Sequence, residues 1–179
     1  MTDTAVLVID MFNDYRHEDA EKLAPSVSDI IEPVAGLVSA ARKRDDVDVV
    51  YVNDNYGDFT ANQQDLVRRA LDGERPDLVE PIVPQDGSRF LQKVRHSAFY
   101  ATSLAYLLRQ LDTERLILTG QVTEQCILYT ALDAYIRHFQ VIVPANGVAH
   151  IDEELGRAAL QMMERNMRAT ILPAEKCLD

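Results

Sequence analysis
The sequence predicts an α/β protein built on a parallel sheet. Three observations carry this. Apolar, β-branched runs alternate with helix-period stretches along the chain: AVLVID from Ala5, VDVVYVND from Val47, RFLQKV from Arg89, RLILTG from Arg115, FQVIVP from Phe139 and ATILPAE from Ala169. Runs such as Val49-Val50 and Leu116-Ile117-Leu118 lack the alternation of half-exposed strands, the pattern of strands covered by helices on both faces. The 179 residues, 47% hydrophobic with 7 Gly and 7 Pro, suffice for a single domain, residues 1–179, with a full core.

In chain order, the first strand ends at Asp10, and Pro33 can serve as the first residue of a helix running to about Arg44. The second strand ends at Asn53-Asp54. From Asn53 to about Ser88 the pattern is irregular, with Gly57, Gly73, Pro76, Pro81, Pro84 and Gly87 around a short helical patch near Gln64 to Leu71. A lid, a pocket wall and a subunit contact are all open for it. Lys93 lies in the short third run. After RLILTG comes QVTEQ and then an apolar helix, CILYTALDAY. Ile127, Leu128, Ala131, Leu132, Ala134, Tyr135 and Ile136 cover most of its circumference, which implies burial nearly all round, in the core or an interface. Asp152-Glu153-Glu154 opens the last helix and Arg165 and Arg168 close it, both opposing the helix dipole; Leu155, Ala158, Ala159, Met162 and Met163 form its core stripe.

A net charge of -11 gives no electrostatic footprint for nucleic acid, and the apolar runs read as too short for a membrane span. Partners are expected to be a small-molecule substrate and other subunits. MTDTAVLVID lacks a basic stretch before its short apolar run, so no signal peptide is expected and the location is cytoplasmic. Two cysteines are too few for a disulfide framework, and Cys177 reads as an incidental free thiol.

Ligands of open parallel sheets bind beyond the carboxyl ends of the strands, where Asp10, Asn53, Asp54 and Cys126 fall. A cysteine where a buried strand gives way to a helix meets backbone N–H groups that lower a thiol's pKa and can hold an oxyanion. From residue type alone, Asp10 is equally a cap or turn residue, Lys93 a surface charge and Cys126 a small buried hydrophobe.

Longer motifs weigh against those alternatives. Lys93 to Leu104 reads K-V-R-H-S-A-F-Y-A-T-S-L, and Gly120 to Ala134 places Thr123, Glu124, Cys126, Thr130, Ala131, Asp133 and Ala134 in the pattern G-x-x-T-E-x-C-x-x-x-T-A-x-D-A. With Asp10 in the first strand, these segments resemble the isochorismatase-like cysteine hydrolases, from about Ala5 to Pro173. The resemblance implies a three-layer αβα, Rossmann-like fold with a six-stranded parallel sheet in the order 3-2-1-4-5-6, and a catalytic triad of Asp10, Lys93 and Cys126. It also implies a non-proline cis peptide at Val122-Thr123, aiming backbone N–H groups of the Val122, Thr123 and Cys126 segment at an oxyanion, and a homo-oligomer.

Nicotinamidases of that family hold a metal through an Asp-x-His segment and a further His, whereas this chain reads Asn53-Asp54-Asn55-Tyr56-Gly57 and has His17, His96, His138 and His150 elsewhere. No metal and no cofactor are therefore expected. Phe12, Tyr15, Asn53, Tyr56, Phe59 and Phe99 are candidates for a pocket wall, the aromatics equally for ordinary core. Relatives cleaving isochorismate, an enol ether, can dispense with the cysteine, so Cys126 favours hydrolysis of a C–N bond in a small amide, ureide or carbamoyl compound. An enol-ether hydrolase and a non-catalytic binding protein of the same fold are the alternatives.

Overall fold
The computed structural model describes residues 3–179. Its sheet comprises β1 (Thr4–Ile9), β2 (Val47–Asp54), β3 (Arg89–Lys93), β4 (Arg115–Gln121), β5 (Gln140–Pro144), β6 (Val148–Ala149) and β7 (Thr170–Leu172). Every pairing is parallel and the order is β3-β2-β1-β4-β5-β7, with β6 beside β4. The six expected strands take the expected order, and the seventh is an addition. It has a local cause: β5 follows β4 only as far as Ile117, and β6 resumes the pairing at Gly120 and Gln121. The end of β4 that leads into Cys126 is thus flanked on both sides.

All six residues of β1 are buried, and they alternate between two cores. Val6 and Val8 pack with Leu23, Val27, Ile30 and Val34 of α1 (Ala20–Ala41) on one face. Ala5, Leu7 and Ile9 join the other core with Leu104 and Leu108 of α3 (Leu104–Gln110), Ala131 and Ala134 of α4 (Leu128–Ile136) and Met163 of α5 (Glu153–Met167). α2 (Gln63–Leu71) buries only Leu66 and Ala70, and an Asn62/Asp65 capping box opens it.

Three helical expectations need correction. α1 begins at Ala20 and runs through Pro25 and Pro33 rather than starting at Pro33. A proline deprives the carbonyl four residues earlier of its partner; here those carbonyls belong to Glu21 and Asp29, both on the exposed side. This length also makes α1 apolar enough to cross a bilayer on length and composition alone, but its apolar face packs on the sheet. On α5 the buried stripe is Gly156, Ala159 and Met163, with Leu155 and Met162 exposed. Gly156 lets the helix close onto the His150 side chain, where a Cβ would collide, and that contact sets the helix's rotation. α4 is not buried all round either: Tyr129, Leu132, Tyr135 and Ile136 are exposed.

The irregular segment is only partly a surface loop. Leu78, Val79 and Ile82, in two short 3-10 turns, are buried in the α1-side core. That half of it is fixed wall.

One position controls how closely β4 approaches β1. Gly120 has φ +117, and a Cβ there would collide with the Ile9 backbone. Gly120→Ala is expected to cost roughly 2–4 kcal/mol of stability, read by urea unfolding, since both the conformation and the space are denied to alanine.

Candidate active site
Parallel pairing brings the carboxyl ends of β1 to β4 to one edge. Asp10 leaves β1 in the left-handed region, φ 54, unusual for a non-glycine residue. Its backbone N–H donates to the Val52 carbonyl at 2.9 Å, and its carbonyl accepts from the Gln121 side-chain amide at 2.6 Å. Held this way, the carboxylate turns toward the ends of its neighbouring strands. Oδ1 accepts from the Asp54 N–H at 2.8 Å and Oδ2 pairs with Lys93 Nζ at 2.8 Å.

Lys93 is the last residue of β3, on the far side of β2 from Asp10. Two strand spacings, about 9.6 Å, separate the backbones, and the lysine stem, the ion pair and the aspartate side chain together bridge that gap. The ammonium is 1% exposed and stands 3.6 Å from both Cys126 Sγ and Asp54 Oδ2.

Cys126 lies in a π-helical turn, Thr123–Ile127, between β4 and α4, rather than at the start of an ordinary helix. The Asp10 carboxylate lies close enough for its charge to act on the thiol. The three expected residues therefore converge. The resting electrostatics differ from the expectation of a lowered thiol pKa: burial first, then the Asp10 charge, push the Cys126 thiol well up, and Lys93 only partly offsets them. Burial also holds Asp10 above the usual carboxylate range against the pull of Lys93. Desolvation opposes the Lys93 charge, but Asp10 and the other neighbouring groups keep its pKa above the ordinary lysine value.

The cis peptide is Gln121-Val122, one residue earlier than expected. β4 pairs with β6 up to Gln121, and Val122 already belongs to the exit from the strand, so the chain turns at that bond.

The pocket residues expected from aromaticity are used differently. Phe12 is buried against Tyr51 and Phe90, and Phe99 is buried against Phe139 beneath Arg137. Tyr15 is also core, and Phe59 is 80% exposed. Asn53 is a buried clamp: its Oδ1 accepts from the Phe12 N–H at 2.9 Å, and its amide donates to the carbonyls of Phe12 and Asp54. Tyr56 keeps an exposed ring but donates its hydroxyl to the Phe12 carbonyl at 2.8 Å, and burial there raises the phenol's pKa. These two residues fix the backbone after Asp10.

Three residues of the site's surroundings were not singled out from sequence. Gln121 anchors Asp10. The Glu124 carboxylate accepts from the N–H groups of Ile151 and Asp152 at 2.9 and 3.0 Å, tying the cysteine turn to the start of α5. His96 places Nδ1 4.0 Å from Cys126 Sγ, with its ring against Tyr129. The signal for Glu124 and His96 lay inside the two long motifs, at positions read for pattern rather than for contact.

Among the described residues, no three His, Cys, Asp or Glu side chains are grouped to hold a metal ion. Asp54 Oδ1 accepts from the Tyr56 N–H and its Oδ2 faces Lys93, so the position corresponding to the nicotinamidase metal segment is occupied by internal contacts. Those residues do not fit a metal. Cys177 is remote in kind: it is buried, its thiol is pushed up to about 11 by burial, and it contacts the Pro173 carbonyl.

A strand-end carboxylate, a lysine reaching across a strand and a buried thiol on the adjoining turn thus meet at one edge of a Rossmann-like sheet. Residues 4–176 match the isochorismatase domain, and the chain belongs to that family. It is 33% identical to the isochorismatase family protein YaaI of Bacillus subtilis over 99% of this chain and 97% of that protein. It is also 33% identical to maleamate amidohydrolase of Pseudomonas putida, over 78% of this chain and 68% of that protein. The N-carbamoylsarcosine amidase of Thermoplasma acidophilum superposes with a TM-score of 0.78 at 25% identity, covering 100% of both chains.

The clamp and the exposed aromatic should respond oppositely to substitution. Asn53→Ala is expected to lose roughly 2–3 kcal/mol in urea unfolding, because it strands buried backbone groups of Phe12, whereas Phe59→Ala should stay within about 0.5 kcal/mol.

Proposed function
We propose that this protein is a metal-independent cysteine amidohydrolase that cleaves the C–N bond of a small amide, ureide or carbamoyl compound in the cytoplasm without a cofactor. The observation that carries the reading is one buried ammonium joined to both a carboxylate and a thiol: Lys93 Nζ lies 2.8 Å from Asp10 Oδ2 and 3.6 Å from Cys126 Sγ. The names borne by relatives, maleamate amidohydrolase and N-carbamoylsarcosine amidase, support the same class of reaction.

In this reading the thiol is not a stored thiolate. Asp10 takes the Sγ proton as the sulfur bonds to the carbonyl carbon, and the carbonyl π electrons move onto oxygen. Backbone N–H groups of the turn from Val122 to Cys126 receive that oxyanion. Collapse expels the amine, which takes the proton from Asp10 and leaves a thioester on Cys126. Asp10, again a carboxylate, deprotonates a water that attacks the thioester, and the released sulfur recovers the proton. Lys93 stays charged throughout and favours each state in which negative charge sits on Asp10 or sulfur.

Cys126→Ala is expected to abolish turnover of amides such as maleamate and nicotinamide while leaving the circular dichroism spectrum and unfolding midpoint near wild type; residual hydrolysis close to wild type would exclude the thioester route. The acid limb of the pH profile carries a second test. A raised Asp10 pKa means that the proton-accepting carboxylate is lost at a higher pH than for an ordinary aspartate, as pH falls. Lys93→Met removes the charge that pulls this pKa down, so the acid limb should move further toward neutral pH and kcat/KM should fall on the order of 100-fold.

A further inference from the structure
The short bend between β3 and the Ser97-Ala98-Phe99 turn carries Arg95 and His96 side by side, both exposed. In a chain of net charge -11, neither enters an ion pair among the described residues. Lys93, the other cation near the sulfur, is already matched by Asp10 and Asp54. With the thiol protonated and both carboxylates ionised, this inner cluster carries one excess negative charge. It cannot by itself favour an anionic substrate.

Geometry places His96 against whatever reacts. A carbonyl carbon poised for attack lies about 3–3.5 Å from the nucleophilic sulfur. His96 Nδ1 lies 4.0 Å from that sulfur, and Tyr129, 43% exposed, backs the imidazole with ring centroids 5.3 Å apart. Lys93 is buried beside Cys126, whereas the His96 imidazole beside the same sulfur is exposed.

We propose that His96, assisted by Arg95, is the specificity determinant of this site and selects small amides with a carboxylate close to the scissile carbonyl, such as the monoamide of a dicarboxylic acid or a carbamoyl amino acid. The imidazole donates a charge-assisted hydrogen bond to that carboxylate. A neutral amide leaves the donor unpaired and is rejected to that extent. The substrate class rests on the amidohydrolase reading above, whereas the selection for an anion beside the sulfur can be read without turnover.

Wild type, His96→Ala and His96→Gln are alkylated in parallel with iodoacetate and iodoacetamide at low ionic strength, and modification of Cys126 is followed by peptide mass. The groups facing the imidazole are Cys126 and Tyr129, with Lys93 behind the sulfur and Arg95 adjacent in sequence. The iodoacetate-to-iodoacetamide rate ratio is expected to fall about fivefold in both variants with the iodoacetamide rate unchanged. The same proteins are then assayed with maleamate and nicotinamide. KM for maleamate should rise about tenfold in His96→Ala, with kcat changed less, so that the preference for maleamate over nicotinamide in kcat/KM falls about tenfold. An unchanged reagent ratio, or an equal loss with the charged and the neutral probe, overturns the proposal. A His96-dependent ratio in a protein that hydrolyses neither amide upholds anion selection at the sulfur and removes the amidohydrolase reading instead.

Discussion

The ion pair between Lys93 and Asp10 is the constraint around which the site is arranged. A lysine ammonium 1% exposed is tolerable only when its charge is matched and its donors are used, and here Asp10, Asp54 and the Cys126 sulfur surround it. The four groups come from three strand ends and one turn. They meet only because β3, β2, β1 and β4 lie in that order and because Asp54 is in register with Lys93 while Ile9 faces Val52 and Gly120. Such a pair is weak evidence for net stability. Its value is in orientation, since removing either member leaves an uncompensated charge and thus selects the arrangement that satisfies both.

Around that pair lies a shell that holds backbone rather than substrate. Asp10 occupies a left-handed conformation that ordinarily costs about 1–3 kcal/mol, and it is over-determined by the Val52 carbonyl, the Gln121 amide and the Asp54 N–H. Asn53 and Tyr56 fix the Phe12 peptide. On the opposite side of the crevice, the Thr130 hydroxyl accepts from the Ala98 N–H at 3.0 Å, joining the loop after Lys93 to α4. Glu124 joins the cysteine turn to the start of α5. The motif residues that never meet the sulfur are therefore the ones that set its position.

These supports explain what was legible in the sequence and what was not. Strand positions were legible because strands buried on both faces leave continuous apolar runs that few other structures produce, while their order came from the family resemblance carried by the long motifs. The converging trio was legible through the same resemblance, since residue type and position alone left Asp10 a cap or turn residue, Lys93 a surface charge and Cys126 a small buried hydrophobe. The pocket wall was not, because an aromatic residue in sequence carries no sign of which way it faces. Phe12 and Phe99 turned out to be core, and Asn53 a clamp. The rotation of α5 was likewise hidden in a contact between Gly156 and His150, six residues apart and outside any helical period. The start of α1 was missed because a proline read as an N-terminal signal is also tolerated mid-helix where the orphaned carbonyl faces solvent.

The protonated resting thiol ties these observations together. A helix terminus and a lysine both lower a thiol's pKa, yet burial and the Asp10 carboxylate outweigh them at Cys126. A carboxylate next to a thiolate would be two like charges competing for one ammonium. The alternative is a protonated thiol near a carboxylate, with the lysine in contact with both, which separates no further charge until an electrophile arrives. Attack and proton transfer then belong to one step, so reactivity depends on a carbonyl being placed against the sulfur. That dependence gives the groups beside the sulfur their leverage: with little thiolate present, selectivity rests on which molecules can be held at bonding distance, and His96 is an exposed side chain at that position.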